Sequence, residues 1–287
     1  MKQEHLASLV RGKPPDSEEE KTAKRVRIGT FNVNSIRARS DLMIDWLEKR
    51  SSDLDVLCFQ ELKVVEKGFP YKVLEKYGFE CEVYGQKGYN GVAICSKLPL
   101  EDVRKGFGDD YWDKQRRIVS AKVWNTFLIN VYAPHGDLRG TDKYHYKLEW
   151  FAKFLDFLAS NQKASGEIVV VGDFNVALSD LDVFDPEITR DGIGTMAEER
   201  EAFQKILDWG LIDSFRFLYP EKRQFTWWDY IGGAIWRDEG MRLDYVLCTR
   251  PVIEKLKDVE VDLWARKRRT TKPSDHAPVI ATLESKG

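Results

Sequence analysis

The stretch EIVVVGDFNVALSD, Glu167–Asp180, runs Ile168, Val169, Val170 and Val171 straight into Gly172, Asp173 and Asn175. Consecutive apolar, β-favouring residues without polar alternation describe a strand buried on both faces. Taken alone, Asp-x-Asn after a strand is a turn, because both side chains cap nearby backbone groups. Recurrence weighs against that reading. The same design returns in VRIGTFNVNS (26–35), DVLCFQELK (55–63), NGVAICS (90–96), FLINVYAPHG (127–136) and MRLDYVLC (241–248). Glu61 ends the run VLCF, Asn32 and Asn34 end RIGTF, Asp244 interrupts RLDYVLC, and Asp275-His276 precede a last strand, VIATL. Each is ordinary by itself: a capping Asn, a surface Glu, a strand Asp paired to Arg242. Together they predict one floor of strand ends presenting carboxylates, amides and an imidazole to a single cleft.

Helices alternate with these strands, which indicates α/β or α+β layering. SDLMIDWLEKR (40–50) reads as a helix with Ser40 as N-cap, and KYHYKLEWFAKFLDFLAS (143–160) as a longer one with aromatics at helical spacing. In TMAEEREAFQKILDWG (195–210), Thr195 and Glu198 form a capping box, Phe203, Ile206 and Leu207 an apolar stripe, and Gly210 the stop. Residues 1–25, with Pro-Pro and a charged run, read as a weakly ordered extension; residues 26–287 read as one catalytic domain.

Composition narrows the chemistry. The chain has 287 residues, Lys+Arg 45 against Asp+Glu 47 and a net charge of -2, so a polyanion would be met by a local basic surface. No apolar run approaches the ~18 residues of a membrane span, and the N-terminus lacks a secretory pattern. A cytoplasmic or nucleoid location, with no membrane association, is the expectation. The four cysteines, Cys58, Cys81, Cys95 and Cys248, stand singly without CxxC spacing and read as reduced, buried thiols. Zinc is therefore disfavoured. Carboxylate and amide oxygens suit a hard cation such as Mg²⁺. Phosphodiester hydrolysis needs an activated water, charge stabilisation and help for the leaving oxygen, which a carboxylate, a metal and an Asp-held His can supply. Of the four histidines, His135 and His276 lie in the polar strand ends, His5 in the extension and His145 on a charged helix face.

FNVNSIRAR, QELK, GYNGVAI, VYAPHG, GDFNVAL, GLIDSFR, FTWWDY, RLDYVL and SDHAPV, in this order, resemble the exonuclease III family of apurinic/apyrimidinic (AP) endonucleases, within the endonuclease/exonuclease/phosphatase superfamily. The resemblance spans Val26 to about Leu283. GDxN and SDHxP place the chain only in the superfamily; QELK, FTWWDY and RLDY narrow it to the DNA-repair branch. The resemblance implies a four-layer α/β sandwich of two packed sheets flanked by helices, DNase I-like, and a Mg²⁺ cofactor with Mn²⁺ as the alternative. It implies Glu61 as principal metal ligand, with Asn34 and Asp275 supporting it. Asp173 would activate water, with Asn175 and Asn32 beside it; His276, oriented by Asp244, would polarise the phosphate, and Tyr132 would contact it. His135 stands where relatives often carry Asn or Gln and would bind substrate by donating to a phosphate oxygen, and Asn34 stands where some carry Asp.

In FTWWDYIGGAIW (225–236) the aromatics exceed what a core needs. The resemblance makes Trp227, Met241 and Leu243 an apolar pocket for an extruded abasic sugar. Candidates for the flanking duplex are Arg37, Arg39, Lys63, Lys67, Lys87 and the run ARKRRTTK, with Arg266, Lys267, Arg268, Arg269 and Lys272. The expected function is Mg²⁺-dependent incision on the 5′ side of abasic sites in duplex DNA, leaving a 3′-hydroxyl, with 3′ to 5′ exonuclease or 3′-phosphodiesterase activity on damaged 3′ ends. No obligate protein partner is expected. The alternatives are a phosphatase on a lipid or inositol phosphate and, less favoured, a non-catalytic DNA-binding module.

Overall fold

Residues 24–285 are described by a computed structural model. One sheet runs, in spatial order, β13 (Leu256–Val261), β14 (Val279–Ser285), β1 (Lys24–Asn32), β2 (Val56–Gln60), β4 (Val92–Ser96) and β3 (Glu80–Tyr84). The second runs β5 (Glu101–Lys105), β6 (Ile118–Val123), β7 (Thr126–Tyr132), β8 (Ile168–Asp173), β12 (Asp244–Thr249) and β9 (Leu211–Asp213). β10 (Trp227–Trp228) and β11 (Gly240–Met241) form a short ribbon. In each sheet one central pair is parallel, β1 with β2 and β7 with β8, and the other neighbours are antiparallel.

The period of two along a strand decides what each layer contains. Ile28, Val56, Cys58, Leu128, Val169, Val171, Val246 and Cys248 meet between the sheets. Their odd-step neighbours face outward. Phe31, Leu57 and Phe59 receive Leu42, Met43, Trp46 and Leu47 of the helix Ser40–Arg50, while Ile129, Val170 and Tyr245 receive Trp150, Phe151, Phe154, Phe203 and Ile206 of the helices Asp142–Asn161 and Ala197–Asp208. Helix, sheet, sheet, helix is the four-layer sandwich expected. Both faces of the central strands are buried, which explains their near-continuous apolar runs.

Several local readings are corrected. Ser40 is the first helical residue, not the cap, and its Oγ donates to Arg37 O. The capping carboxylate of Ala197–Asp208 is Glu199 rather than Glu198: its Oε2 accepts from the N–H groups of Gly194 and Met196, and Thr195 lies outside the helix. Gly210 does terminate it, donating to Leu207 O at 2.9 Å. Cys81 and Cys95 form a disulfide, because β3 and β4 pair with these residues directly opposite; Cys58 and Cys248 are the buried free thiols expected. The expected extension lies outside the described residues up to position 23, and β1 begins at Lys24, two residues before the expected domain start. Among the described residues no helix is long and apolar enough to cross a membrane.

Arg242 ignores Asp244 and pairs with Asp182 (Nε–Oδ1, 2.7 Å) and Asp213 (Nη1–Oδ2, 2.7 Å), wholly buried, its guanidinium 4.4 Å from the centre of the Tyr245 ring. Removing one member of a buried charge network strands the others. Arg242→Met is therefore expected to cost about 3–5 kcal/mol in a urea melt. A loss below about 1 kcal/mol would show that Arg216, also on Asp182, suffices to compensate the site.

Candidate active site

The same parity that fills the layer between the sheets builds the polar floor. Asn32 is two and four residues beyond Thr30 and Ile28, Asp173 two beyond Val171, and Asp244 two before Val246; all continue the inward-facing rows past the apolar core. Register then sets them side by side, since Asp173 lies opposite both Asp244 and Tyr132. Beyond the strands the backbone turns sharply. Asn34, Glu61, Lys63 and Asn175 all hold positive φ, at 43°, 51°, 54° and 52°. Asn tolerates that region, whereas Glu61 and Lys63 carry backbone strain that the surrounding floor must hold in place.

Asn32 ties the two halves together. Its Nδ2 donates to Glu61 Oε1 at 3.0 Å and to Asp173 Oδ2 at 2.8 Å, while its Oδ1 accepts from the Asn34 N–H. Asn175 N–H donates to Asp173 Oδ1 at 2.8 Å, and its side chain donates to Ala133 O. His276 Nδ1 lies 2.8 Å from Asp244 Oδ2, with Nε2 3.7 Å from Asp173 Oδ2. Burial raises Asp173 to about 7, the nearby Asp244 charge adding to the shift and His276 opposing it. Burial works against a charged His276, but Asp244 and Asp173, with Asp275, outweigh it and push the imidazole up to about 10. Burial likewise opposes ionisation of Glu61, yet Lys63, Asn32 and His276 hold its carboxyl below the usual range. Tyr132 is a neutral phenol: burial, and then the Glu61 carboxylate beside it, lift its pKa far upward.

Glu61, Asp173 and His276 each offer a ligand atom within 4.8 Å of the others. Both His276 nitrogens face carboxylates, an arrangement that favours the protonated imidazole, which has no lone pair to offer a metal. The oxygens fit a hard cation better. Lys63 already shows the preference of this corner for positive charge, its ammonium 2.8 Å from Glu61 Oε2 and 2.6 Å from Asn34 Oδ1. Asp275 stands back, accepting from Asn34 Nδ2 and from Trp227 Nε1 at 3.0 and 3.1 Å.

A cavity of about 190 Å³ opens directly on this floor, lined by Trp227, Met241 and Leu243 together with Glu61, His135, Asn175, Asp275 and His276. The three apolar residues expected there are thus brought together, and the exposed His135 reaches the same space. Ile193 also lines it and escaped the sequence reading. It sits in a Gly-flanked loop with no periodicity, so only tertiary contact reveals it. The basic candidates divide. Arg39 is buried, bonded to Asn34 O, Pro273 O and the Tyr230 hydroxyl, and the half-buried Lys63 is paired with Glu61 in the floor. Arg266 is buried against the carbonyls of Trp228, Asp229 and Asp275, and Arg268 pairs with Asp45. Arg37, Lys67, Lys87, Lys267, Arg269 and Lys272 are exposed.

This chain matches the model of the endonuclease/exonuclease/phosphatase family over residues 29–276. It is 35% identical to exodeoxyribonuclease III of Haemophilus influenzae over 267 residues, covering 89% of this chain and 98% of that relative. An exodeoxyribonuclease of Bacillus subtilis is 30% identical over 256 residues, 88% of this chain and 98% of its own. Among solved structures, an AP endonuclease from Archaeoglobus fulgidus superimposes with a TM-score of 0.85 at 36% identity, covering 90% of this chain and 99% of that one. A 3′ phosphatase from Neisseria, bound to a product DNA hairpin, gives 0.82 at 38%, covering 89% and 98%.

Proposed function

The chain belongs to the endonuclease/exonuclease/phosphatase family, on its exonuclease III branch, and from that premise we propose that it incises duplex DNA on the 5′ side of abasic sites, leaving a 3′-hydroxyl, and trims damaged 3′ ends at the same floor. One observation carries the reading: the apolar cavity of Trp227, Met241 and Leu243 shares a wall with the residues suited to phosphate chemistry, Glu61 and His276. A sugar without its base fits beside such a wall, and extruding it costs least where base pairing is already lost. Lipid and inositol phosphates would not call for an aromatic slot in this position.

Asp173, held at one oxygen by Asn175 and at the other by Asn32, is placed to orient and deprotonate the attacking water. His276, kept charged by Asp244, donates to a non-bridging phosphate oxygen, and the neutral Tyr132 hydroxyl adds a second donor. Glu61, with Asn34 nearby, would hold a divalent cation such as Mg²⁺, which when bound neutralises charge on the phosphate and its leaving oxygen. The exposed Arg37, Lys67, Lys87, Lys267, Arg269 and Lys272 would meet the backbone of the duplex.

The test is an end-labelled duplex with one central abasic analogue beside an undamaged control, with Mg²⁺ and with EDTA. A single Mg²⁺-dependent cut 5′ to the analogue is expected; an uncut duplex, with phosphoinositide hydrolysed instead, would replace this reading. Trp227→Ala is expected to slow incision about tenfold and to narrow the preference for the abasic duplex, a range typical of lost pocket contacts. An unchanged preference would mean that the cavity does not select the abasic sugar.

A further inference from the structure

Behind the cavity lies an ion pair that the proposed chemistry does not use. Lys147, on the helix Asp142–Asn161, and Glu199, on the helix Ala197–Asp208, are each 0% exposed, with Nζ 2.6 Å from Oε1. An ion pair taken wholly out of water contributes little stability compared with an apolar pair of similar volume. Its remaining bonds indicate another role. Lys147 Nζ also donates to His135 O at 3.1 Å and Asn175 O at 2.8 Å, while Glu199 Oε2 accepts from the N–H groups of Gly194 (2.6 Å) and Met196 (3.3 Å). All three lysine donors are used.

The backbone groups held this way belong to three separate segments, following β7, following β8 and preceding Ala197. Each segment supplies a wall of the cavity: His135, Asn175 and Ile193. Gly136, at φ +81°, lets the first segment lie on the lysine, since a Cβ there would meet Lys147 Cδ at 2.8 Å. The floor is placed differently, by strand register through Asp173 and Asp244. It meets these walls through the Asn175 N–H on Asp173 Oδ1 and the Ala133 N–H on the Asp173 carbonyl, both at 2.8 Å and neither made by Lys147 or Glu199.

We infer that the Lys147–Glu199 pair is a positioning device that sets the width of the cavity, and with it the preference for an extruded sugar over a complete nucleotide; this rests on the incision reading above. Glu199→Gln keeps the shape and turns an amide toward either Lys147 or the Gly194 and Met196 donors. Lys147→Met/Glu199→Leu removes both charges together and so avoids a stranded ion.

Two substrates separate walls from floor: the abasic duplex, and bis(4-nitrophenyl) phosphate, a small diester that needs no sugar slot. In both variants KM for the abasic duplex is expected to rise about tenfold or more, with hydrolysis of the small diester within about twofold of wild type, since small misplacements of a positioning shell have effects of that size or larger. Deuterium exchange should quicken at the Gly194 and Met196 amides. Equal loss on both substrates would place the pair under the floor or the fold, and an unchanged duplex KM in a folded variant would leave it a structural tie; either overturns the inference. If the wild type fails to cut the abasic duplex, the incision reading fails instead. Exchange then decides the pair alone, and undiminished protection of those two amides would overturn it.

Discussion

Asp173→Asn should lower the incision rate by roughly 10³-fold while leaving the protein folded, a loss in the range expected when a positioned general base is removed. Asp173 is fully enclosed, and its pKa is raised by that burial first and by the Asp244 charge, with His276 opposing. A carboxyl whose folded pKa lies above its unfolded value favours the protonated form in the native state, so its ionised form weakens the fold as pH rises through that range. The isosteric amide removes that penalty. The thermal midpoint of the variant at neutral pH should therefore not fall, which separates lost chemistry from lost structure. Undiminished cleavage would transfer the water-activating role elsewhere; a large drop in midpoint would mean that the charge on His276 depends on Asp173 for stability.

Glu61→Gln is the second large effect, on the order of 10² in kcat/KM at millimolar Mg²⁺, because one oriented charge stabiliser of a phosphate site is lost. The amide keeps an oxygen but loses the charge that now holds Lys63 at 2.8 Å. Metal affinity should weaken at least about tenfold when Mn²⁺ is titrated and followed by electron paramagnetic resonance. Raising the metal concentration should then recover part of the rate. Unaltered Mn²⁺ affinity would move the principal ligand to Asp275, which the structure sets back against Asn34 and Trp227.

Much of the floor was legible along the chain because strand periodicity is covalent. From Val169 and Val171 the next inward position is Asp173, and from Ile28 and Thr30 it is Asn32, whatever the strand's neighbours are. Trp227 and Trp228 illustrate the limit of that rule. As neighbours on one strand they face opposite ways, yet nothing local says that Trp228 is the core residue, wholly buried, and Trp227 the wall of the cavity. The cationic residues were less legible still. Arg39 and Arg266 look like surface charge in the sequence and are buried ties to backbone carbonyls, because a long side chain can reach carbonyls of other segments, Pro273 for Arg39 and Trp228 for Arg266.

By itself, the sequence determined the alternation of β runs and helices, the two-residue period along each strand, and the set of carboxylates, amides and imidazole at the strand ends. Only the tertiary structure decided which of these meet: Cys81 with Cys95, Arg242 with Asp182 and Asp213 instead of Asp244, Lys147 with Glu199, and Ile193 with the cavity. Spacing within one strand follows from bond geometry, whereas contacts between segments depend on strand order, register and helix docking, which are properties of the whole packed core.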